Sequence, residues 1–360
     1  MLNQTSVLSF TTEMLGPGKG MTGQLVRLSL VYSRPDAAGP RSLIAKFSAP
    51  NPQMRGPLHS MGFYEREMRF YEQIAPQSLL RTPRCYFSAV DPEEGLSLLL
   101  LEDLSYARNG SAVEDCSVAD AELAVIGIAS FHAQWWQHPL LDGQDWLEMR
   151  GFLAASQVQA TFDLSWAPFL SIISDSLAEQ IVPLSDDLHR HLGRISTYLY
   201  MDGPRTLIHN DYHAENLFFV GAGHDGSIAV VDWQVATLGR GVIDVARFLG
   251  GNLHPNARRE HDLRLLRSYH KILLENGVSN YSFEQCWYEY RLAMLLPLGL
   301  IAMVMGLAAR VTAGPDAMKG GPREVIVTRY CRAITDLKVS DLLMASVEER
   351  DVAHGPPICP

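Results

Sequence analysis

Apolar and polar side chains alternate through much of the first hundred residues. Residues 24–32 alternate, residues 43–47 form the next apolar run, and residues 95–104 contain a third, which together predict strands. In residues 63–74 the aromatic and aliphatic side chains recur at helical spacing, which predicts a helix with one inward face. The first part of the chain is therefore predicted to be a mostly antiparallel sheet accompanied by one helix.

Beyond this region, helical periodicity prevails, so the chain divides into two unequal parts. We predict the α+β class, with a small β-rich lobe over residues 1–101 and a larger, mainly α-helical lobe over residues 105–345. Residues 102–104 would form the hinge between the lobes. We expect the proline-containing tail, residues 346–360, to be loose.

Capping residues and prolines predict where helices of the larger lobe begin and end. Ser117 with Asp120 forms a capping box, and the helix that follows would bury one apolar face. Residues 138–204 predict two further helices with breaks at Pro168 and Pro183, because proline removes a backbone donor. The inward face of the capped helix comprises Ala121, Ala124, Val125, Ile128, Phe131 and Trp135.

Residues 292–309 are 18 uncharged residues between Arg291 and Arg310, which meets the lower limit for a membrane span. The proline and the two glycines inside the segment weaken a straight span, so a buried core helix fits the segment better. Part of it could instead form the wall of an apolar substrate cavity, because methionine side chains adapt to varied shapes. The methionines concerned are Met294, Met303 and Met305.

The strongest chemical pattern lies on two short apolar segments, residues 208–220 and 228–234. They place Asp211, Asn216 five residues later, and Asp232 near one turn. Phosphoryl transfer from a nucleotide needs this set, in which one carboxylate orients the attacking hydroxyl and an amide and a second carboxylate hold Mg²⁺. A pair of histidine metal ligands would need a helix here, whereas the flanking residues predict strands.

A glycine loop lies upstream, where Gly18, Gly20 and Gly23 match G-x-G-x-x-G. A dinucleotide-binding fold would need a buried strand before these glycines and a helix after them, and the sequence predicts neither. A glycine loop between strands fits a lid over nucleotide phosphates, although an ordinary glycine hairpin would have the same pattern.

Two further residues complete a nucleotide site. Lys46 lies on the predicted strand 43–47 and Glu67 lies on the inward face of the predicted helix, where a carboxylate needs a cation. Glu65 is the alternative partner, but it falls toward the opposite face. If these residues had no functional role, Lys46 would be an exposed lysine on an edge strand and the helix that carries Glu67 would have a solvated charged face.

With these pieces in order, the chain resembles the aminoglycoside phosphotransferase and choline kinase superfamily, and most closely its ecdysteroid-kinase-like branch. The resemblance covers about residues 15–250 and implies a bilobal, protein-kinase-like fold with ATP and Mg²⁺ as cofactors. The motifs that carry it are E-M-R-F-Y, L-L-L-E-D-L, I-A-S-F-H-A-Q-W-W, H-N-D-Y-H-A-E-N, V-D-W-Q and G-R-G-V-I-D-V-A-R.

The resemblance implies a role for each matching residue. Asp211 would be the catalytic base, Asn216 and Asp232 the metal ligands, and Lys46, paired with Glu67, the residue that holds the α- and β-phosphates. The residues expected to cover the phosphates are Gly20, Met21, Thr22 and Gly23. The residues expected to line the adenine pocket are Leu101, Glu102 and Asp103. The residues expected to brace the catalytic loop are His209 and Asp244.

Two departures from the family pattern occur at the site. Asn210 stands where the family usually has glycine, which changes the turn before Asp211, and Trp233 replaces the commoner phenylalanine. Neither change removes a functional group. The resemblance therefore implies an active small-molecule kinase that uses an alcohol as acceptor, and not a scaffold that merely binds nucleotide. An enzyme that phosphorylates a hydroxyl only to eliminate it would need the same residues.

Composition limits the partners. The net charge of −10 argues against nucleic acid and acidic membrane surfaces, and 47% hydrophobic residues indicate a globular chain with a sizeable core. The five cysteines are scattered without a Cys-x-x-Cys pair, so we expect reduced thiols and no zinc site. The N-terminal residues lack the pattern of a signal peptide, and we expect a cytoplasmic protein.

The acceptor is the least constrained part of the prediction. Acidic residues among tryptophans could form a cage for an ammonium group, but the same aromatics could bind a lipophilic alcohol. The resemblance favours a neutral or lipophilic small molecule over a cation. The tryptophans concerned are Trp135, Trp136, Trp146 and Trp166, and the acids are Asp142, Asp145 and Glu148.

Overall fold

The computed structural model describes residues 6–16, 22–34, 36, 38–111, 113–221, 226–311 and 321–343. Gly18, Gly20, Met21 and the predicted tail lie outside these ranges. Strands are concentrated before residue 110 and around residues 206–239. In the described ranges the strands are Val7–Leu15 (β1), Gly23–Tyr32 (β2), Ser42–Ser48 (β3), Cys85–Val90 (β4), Ser97–Glu102 (β5), Arg108–Asn109 (β6), Thr206–Ile208 (β7), Leu217–Val220 (β8), Ser227–Val230 (β9) and Thr237–Gly239 (β10).

Helices make up most of the chain after residue 117. The α-helices of the described ranges are Pro52–Ser60 (α1), Phe63–Arg69 (α2), Val118–Gln134 (α3), Ala155–Ile172 (α4), Asp175–Ile181 (α5), Ser185–Met201 (α6), Val242–Asn252 (α7), Pro255–Glu275 (α8), Phe283–Ala293 (α9), Leu295–Val311 (α10) and Pro322–Asp336 (α11). The predicted α+β class, with a β-rich first part and a helical second part, is confirmed.

The N-terminal sheet has five antiparallel strands in the order β1-β2-β3-β5-β4. Lys46 lies on β3, opposite Leu25 on one side and Leu99 on the other, so it occupies the middle of the sheet and not an edge. Gly23 begins β2, where an added Cβ would overlap the carbonyl oxygen of Phe47. Glycine at this position therefore allows β2 and β3 to approach each other.

The helix predicted over residues 63–74 is present, with α2 continuing into a π-helical turn at Phe70–Ile74. Glu67 is 3% exposed, as its position on the aromatic face predicts, whereas Glu65 pairs with Arg69 four residues later on the same helix. The residue spacing therefore distinguished the inward carboxylate from its neighbour.

The capped helix of the larger lobe is also as predicted. Ser117 precedes α3 and its Oγ accepts a hydrogen bond from the backbone N–H of Asp120 at 3.1 Å. The six residues predicted to face inward are all buried. This helix packs against α8 and also contacts β7 and β9.

The prediction for residues 138–204 is wrong in its helix count. Three α-helices lie there, and Pro168 is inside α4 instead of ending it, whereas Pro183 lies in the short turn between α5 and α6. Tertiary packing explains the continuous helix. Buried aromatic residues of α4 face the core, and α10 passes so close that a Cβ on Gly306 would overlap the carbonyl oxygen of Ser165.

The apolar segment around α10 packs mainly inside the protein. In the described part, one stretch, Phe283–Arg310, is long and apolar enough to cross a membrane, and 61% of its most apolar window is buried. Leu295 and Leu298 are fully buried in the core cluster, whereas other residues of α10 face a cavity. Core packing and cavity formation therefore both apply to this segment.

Candidate active site

The loop that connects β7 to β8, here called the catalytic loop after its predicted role, has a backbone in an uncommon conformation. Asn210 has φ of 66°, in the left-handed region that glycine usually occupies. Asparagine tolerates this region better than most residues, and its Oδ1 accepts a hydrogen bond from the Tyr200 hydroxyl at 2.7 Å. Asn210 therefore adopts, in the turn before Asp211, a backbone conformation that glycine adopts most readily.

Asp244, near the start of α7, lies buried behind the loop. Its Oδ2 accepts from the backbone N–H of His209 at 2.7 Å, and its Oδ1 accepts from the backbone N–H of Asn210 at 2.8 Å. His132 of α3 contacts Oδ2 at 3.2 Å. These contacts satisfy a fully buried carboxylate and hold the two residues before Asp211 in place.

His209 is engaged through both ring nitrogens. The backbone N–H of Asp211 donates to Nδ1 at 3.2 Å, and Nε2 lies 2.9 Å from the carbonyl oxygen of Val231. This arrangement fits the neutral tautomer with a proton on Nε2, and burial lowers the pKa of His209. Such a histidine links the loop to the residue before Asp232 and has no free nitrogen for proton transfer.

Lys46, Glu67 and Asp232 form what is here called the ion chain. It joins the N-terminal sheet to the turn that follows β9. Lys46 Nζ lies 2.7 Å from Glu67 Oε2 and 2.8 Å from Asp232 Oδ1. Burial alone would lower the pKa of Lys46, but the carboxylates of Asp232 and Glu67 outweigh it and raise that pKa. The ammonium group therefore stays charged.

The residues beside the ion chain fix its geometry. Trp233 stacks on Phe70 with ring centroids 3.9 Å apart. Arg66, on the turn of α2 beside Glu67, donates to the carbonyl oxygens of Trp146 and Gln234 at 3.0 Å. The helix that carries Glu67 is thus attached to the segment that carries Asp232 by stacking and by hydrogen bonds.

Asn216 and Asp232 offer an oxygen donor set. Asn216 Nδ2 donates to the carbonyl oxygen of Asp211 at 2.9 Å, which leaves its Oδ1 to accept or to ligate. The backbone N–H of Val231 donates to the Asn216 carbonyl oxygen at 3.0 Å, so the two segments are adjacent. In the described ranges, no three His, Cys, Asp or Glu side chains gather as a metal cluster. Two protein oxygens fit Mg²⁺, which usually keeps water and phosphate ligands.

The phosphate-covering residues are described only in part. Thr22 Oγ1 accepts from Gln234 Nε2 at 3.1 Å, so this hydroxyl contacts the segment that carries Asp232. Gly23 belongs to β2. Gly20 and Met21 lie outside the described residues, and their contact with phosphates stays a prediction.

The three residues predicted to line the adenine pocket lie at the end of β5. Leu101 is buried within the sheet. Glu102 pairs with Arg81 at 2.8 Å, and Asp103 accepts from Arg27 Nε at 2.9 Å and from the Ser42 hydroxyl at 2.8 Å. The two acidic side chains therefore connect parts of the protein itself. A contact between adenine and residues 101–103 stays a prediction, and backbone atoms or the Leu101 side chain would make it.

Asp211 is paired with a cation that the sequence analysis did not single out. Arg247 Nη2 of α7 donates to Asp211 Oδ1, and His213 Nε2 lies 3.6 Å from Oδ2. Burial would raise the pKa of Asp211, but the Arg247 guanidinium, with smaller contributions from the two histidines, holds it well below its usual range. The spacing could have revealed Arg247, because it follows the buried Asp244 by three residues on one helix.

Asp211 and Arg247 line a cavity of about 440 Å³, here called the main cavity. Most of its described wall is apolar, from residues before α2, from α10 and from α11. A smaller deep cavity of about 50 Å³ shares four wall residues with it. The shared residues are Leu153, Asn210, Arg247 and Leu300.

The tryptophans and acids expected around the acceptor are all absent from the described wall of the main cavity. Trp135 and Trp166 are core residues, and Asp142, Asp145 and Glu148 are exposed. Whether these residues contact an acceptor stays a prediction, and the described wall of the main cavity consists of other side chains.

The sequence model of the ecdysteroid kinase-like family matches residues 17–278. The chain belongs to the ecdysteroid kinase-like family. The resemblance stated from the motifs is therefore confirmed. The search among curated proteins found no match.

Solved structures share the fold at low sequence identity. A Ralstonia eutropha protein provisionally named an aminoglycoside phosphotransferase is 15% identical, with TM-score 0.56 and 95% of each chain covered. Choline kinase from Cryptosporidium parvum is 11% identical, with TM-score 0.53 and 94% of this chain and 90% of that chain covered. A microcompartment-associated aminopropanol kinase is 13% identical, with TM-score 0.51 and coverage of 94% and 93%. The fold of this family member is thus kinase-like.

Proposed function

We propose that this protein transfers the γ-phosphoryl group of ATP to a hydroxyl group of a small, neutral or lipophilic molecule in the cytoplasm. The observation that carries the proposal is the position of Asp211. It lines the main cavity and is connected through Asn216 and Val231 to Asp232, which belongs to the ion chain. An alcohol kinase needs a carboxylate between the site that binds the apolar alcohol and the charged site that binds the nucleotide phosphates, and Asp211 has this position.

In this mechanism Asp211 orients the acceptor hydroxyl for in-line attack and accepts its proton as the new P–O bond forms. Arg247 keeps Asp211 ionised, so the carboxylate can accept a hydrogen bond from the hydroxyl at neutral pH. Lys46, fixed by Glu67, places its charge beside the α- and β-phosphates. No phosphorylated protein forms.

The metal fits the oxygens that the chain provides. Asn216 Oδ1 and the Asp232 carboxylate would hold Mg²⁺, which neutralises phosphate charge when bound. The left-handed backbone of Asp232, with φ of 68°, directs this residue within a short turn and is the kind of strain that persists at functional sites.

The main cavity supports the acceptor class. Its described wall includes Leu300, Ile301, Val304 and Met305 from α10, and these side chains would contact the apolar body of an alcohol. The choline, aminopropanol and aminoglycoside names of similar structures indicate alcohols that carry amino or ammonium groups. This cavity offers less for a cation, because the carboxylate of Asp211, which is 27% exposed, is already paired with Arg247.

Product mass tests the proposal. The protein is incubated with Mg·ATP and mixtures of neutral alcohols, and the products are followed by mass spectrometry. We expect one alcohol to gain a phosphoryl group while an equal amount of ADP appears, and Asp211→Asn to form neither. Loss of water from the alcohol would indicate phosphorylation followed by elimination. Binding of nucleotide without turnover of any alcohol would instead favour a nucleotide-binding scaffold.

A further inference from the structure

Arg247 is the charged side chain common to the main cavity and the deep cavity. In the described wall of the deep cavity it is the sole charge, and in the wall of the main cavity the other charged side chains are Asp211, Glu215 and Arg323. Glu215 is exposed to solvent. The buried part of the acceptor space thus contains one carboxylate, and Arg247 neutralises it.

The guanidinium also has donor capacity left. Its side chain is 16% exposed, Nη2 donates to Asp211, and Nε is buried without a partner among the described residues. The helix position is fixed, because the Arg247 carbonyl oxygen accepts from the Tyr330 hydroxyl at 2.7 Å. Nε itself is closed to a bound molecule, but a guanidinium carries five N–H donors, so its exposed part can donate to an oxygen atom of a molecule in the main cavity.

We propose that Arg247 determines acceptor specificity: it excludes alcohols that carry an ammonium group near the hydroxyl and donates a hydrogen bond to an oxygen of an uncharged acceptor. The inference deepens the proposed function and rests on it. An ammonium group within reach of Asp211 would lie beside the guanidinium in a poorly hydrated space, where like charges repel strongly. A hydroxyl, carbonyl or ether oxygen would meet a donor there instead.

Two probe alcohols of the same shape separate charge from size. The cationic probe is N-hexyl-N,N-dimethyl-N-(2-hydroxyethyl)ammonium, and the neutral probe is its carbon isostere, 3,3-dimethylnonan-1-ol. Each is titrated into the full-length protein by calorimetry, first without nucleotide and then with Mg²⁺ and a non-hydrolysable ATP analogue. Binding needs no turnover, so probe discrimination can fail or succeed independently of phosphoryl transfer.

Three variants of Arg247 are compared with wild type. Arg247→Gln keeps a hydrogen-bond donor to Asp211 without the charge, Arg247→Met removes both, and Arg247→Lys keeps the charge. Arg190→Met serves as the control, because Arg190 is exposed on α6 and absent from the described cavity walls. Thermal denaturation checks that each variant folds. If Arg247→Met does not fold, Arg247→Gln still tests the proposal.

Wild type and Arg190→Met should bind the neutral probe at least about tenfold more tightly than the cation. Arg247→Gln and Arg247→Met should reduce that preference to about threefold or less, because the carboxylate of Asp211 then attracts the ammonium group. Arg247→Lys should keep most of it. An unchanged preference in Arg247→Gln would overturn the proposal. Equal binding of both probes by wild type would do the same, as would binding of neither, since the main cavity would then not admit alcohols.

Discussion

Two regions border the catalytic loop and are built in different ways. The ion chain consists of three charged side chains whose atoms meet at 2.7–2.8 Å. The main cavity is formed mostly by apolar side chains from several helices. Removing one charge leaves its partners buried and unpaired, whereas one apolar side chain can replace another of similar volume. Under the proposed function, the ion chain would hold the nucleotide phosphates, while the cavity wall, which includes Arg247, would select the acceptor.

The largest effect should follow from changing the residue between the two regions. Asp211→Asn should lower phosphorylation of an identified acceptor about 10³-fold, because the amide cannot accept the proton. Nucleotide affinity should change by no more than about twofold, since Asp211 is expected to act in the chemical step. Single-turnover kinetics and nucleotide titration measure the two quantities. Asp163→Asn, at a half-exposed site outside both cavities, is the control. Turnover of the Asp211→Asn variant at the wild-type rate would remove Asp211 from the mechanism.

Breaking the ion chain should affect both stability and nucleotide binding. Lys46→Met leaves Glu67 and Asp232 without their shared cation, which should lower the free energy of unfolding by about 3 kcal/mol. ATP affinity should fall at least about tenfold through loss of the phosphate contact. Urea denaturation and ATP titration provide the measurements.

The matched control for that change is Lys271→Met. Lys271 is 73% exposed and pairs with Glu275 at 3.5 Å, so its replacement should cost less than about 0.5 kcal/mol. A similar cost for both lysines would mean that the ion chain contributes no more than a surface pair.

On the cavity side, Gly306→Ala should disturb packing without reaching the nucleotide residues. The added methyl group would overlap the Ser165 carbonyl oxygen and push α10 from α4, at a cost of about 1–3 kcal/mol. ATP affinity should be unchanged. Gly56→Ala is the control, because its added Cβ would meet no atom within 4 Å apart from its chain neighbours and the backbone of its own helix. Thermal denaturation measures the change in stability and ATP titration measures the affinity. A loss of ATP affinity in Gly306→Ala would contradict the independence of the two regions.

The smallest effect concerns the turn before Asp211. Asn210→Gly and Asn210→Ala both remove the hydrogen bond from Tyr200, so their difference isolates the left-handed backbone. The alanine variant should be less stable than the glycine variant by about 1 kcal/mol. Chemical denaturation of the two proteins measures this difference. Equal stability would show that the turn relaxes away from its positive φ.

Much of the charged side of the site could be predicted from sequence, because its signals are local. A short apolar run predicted a strand around Lys46, and helical spacing predicted that Glu67 faces inward. Capping by Ser117 and the buried face of α3 followed from the same short-range patterns. Each of these features depends on neighbours within one element, where periodicity describes the environment well.

The cavity side could not be predicted in the same way, because its residues meet only in the tertiary structure. Pro168 remains inside α4 because packing against α10 outweighs the lost hydrogen bond. The tryptophans and acids near residue 145 are absent from the described wall of the main cavity, which sequence proximity could not show. The spacing from Asp244 places Arg247 on the same side of α7, but its contact with Asp211, 36 residues earlier, depends on how α7 packs behind the catalytic loop.

The most direct test of the central claim is the Mg²⁺ dependence of ATP binding in wild type, Asp232→Asn and Asp186→Asn. Asparagine suits the left-handed backbone of Asp232 but removes the carboxylate charge, and Asp186 is an exposed control on α6. Calorimetric titration with and without Mg²⁺ should show that the metal tightens ATP binding in wild type and Asp186→Asn, and that Asp232→Asn loses this gain. Equal Mg²⁺ dependence in all three proteins, or no binding of ATP to wild type, would contradict the account.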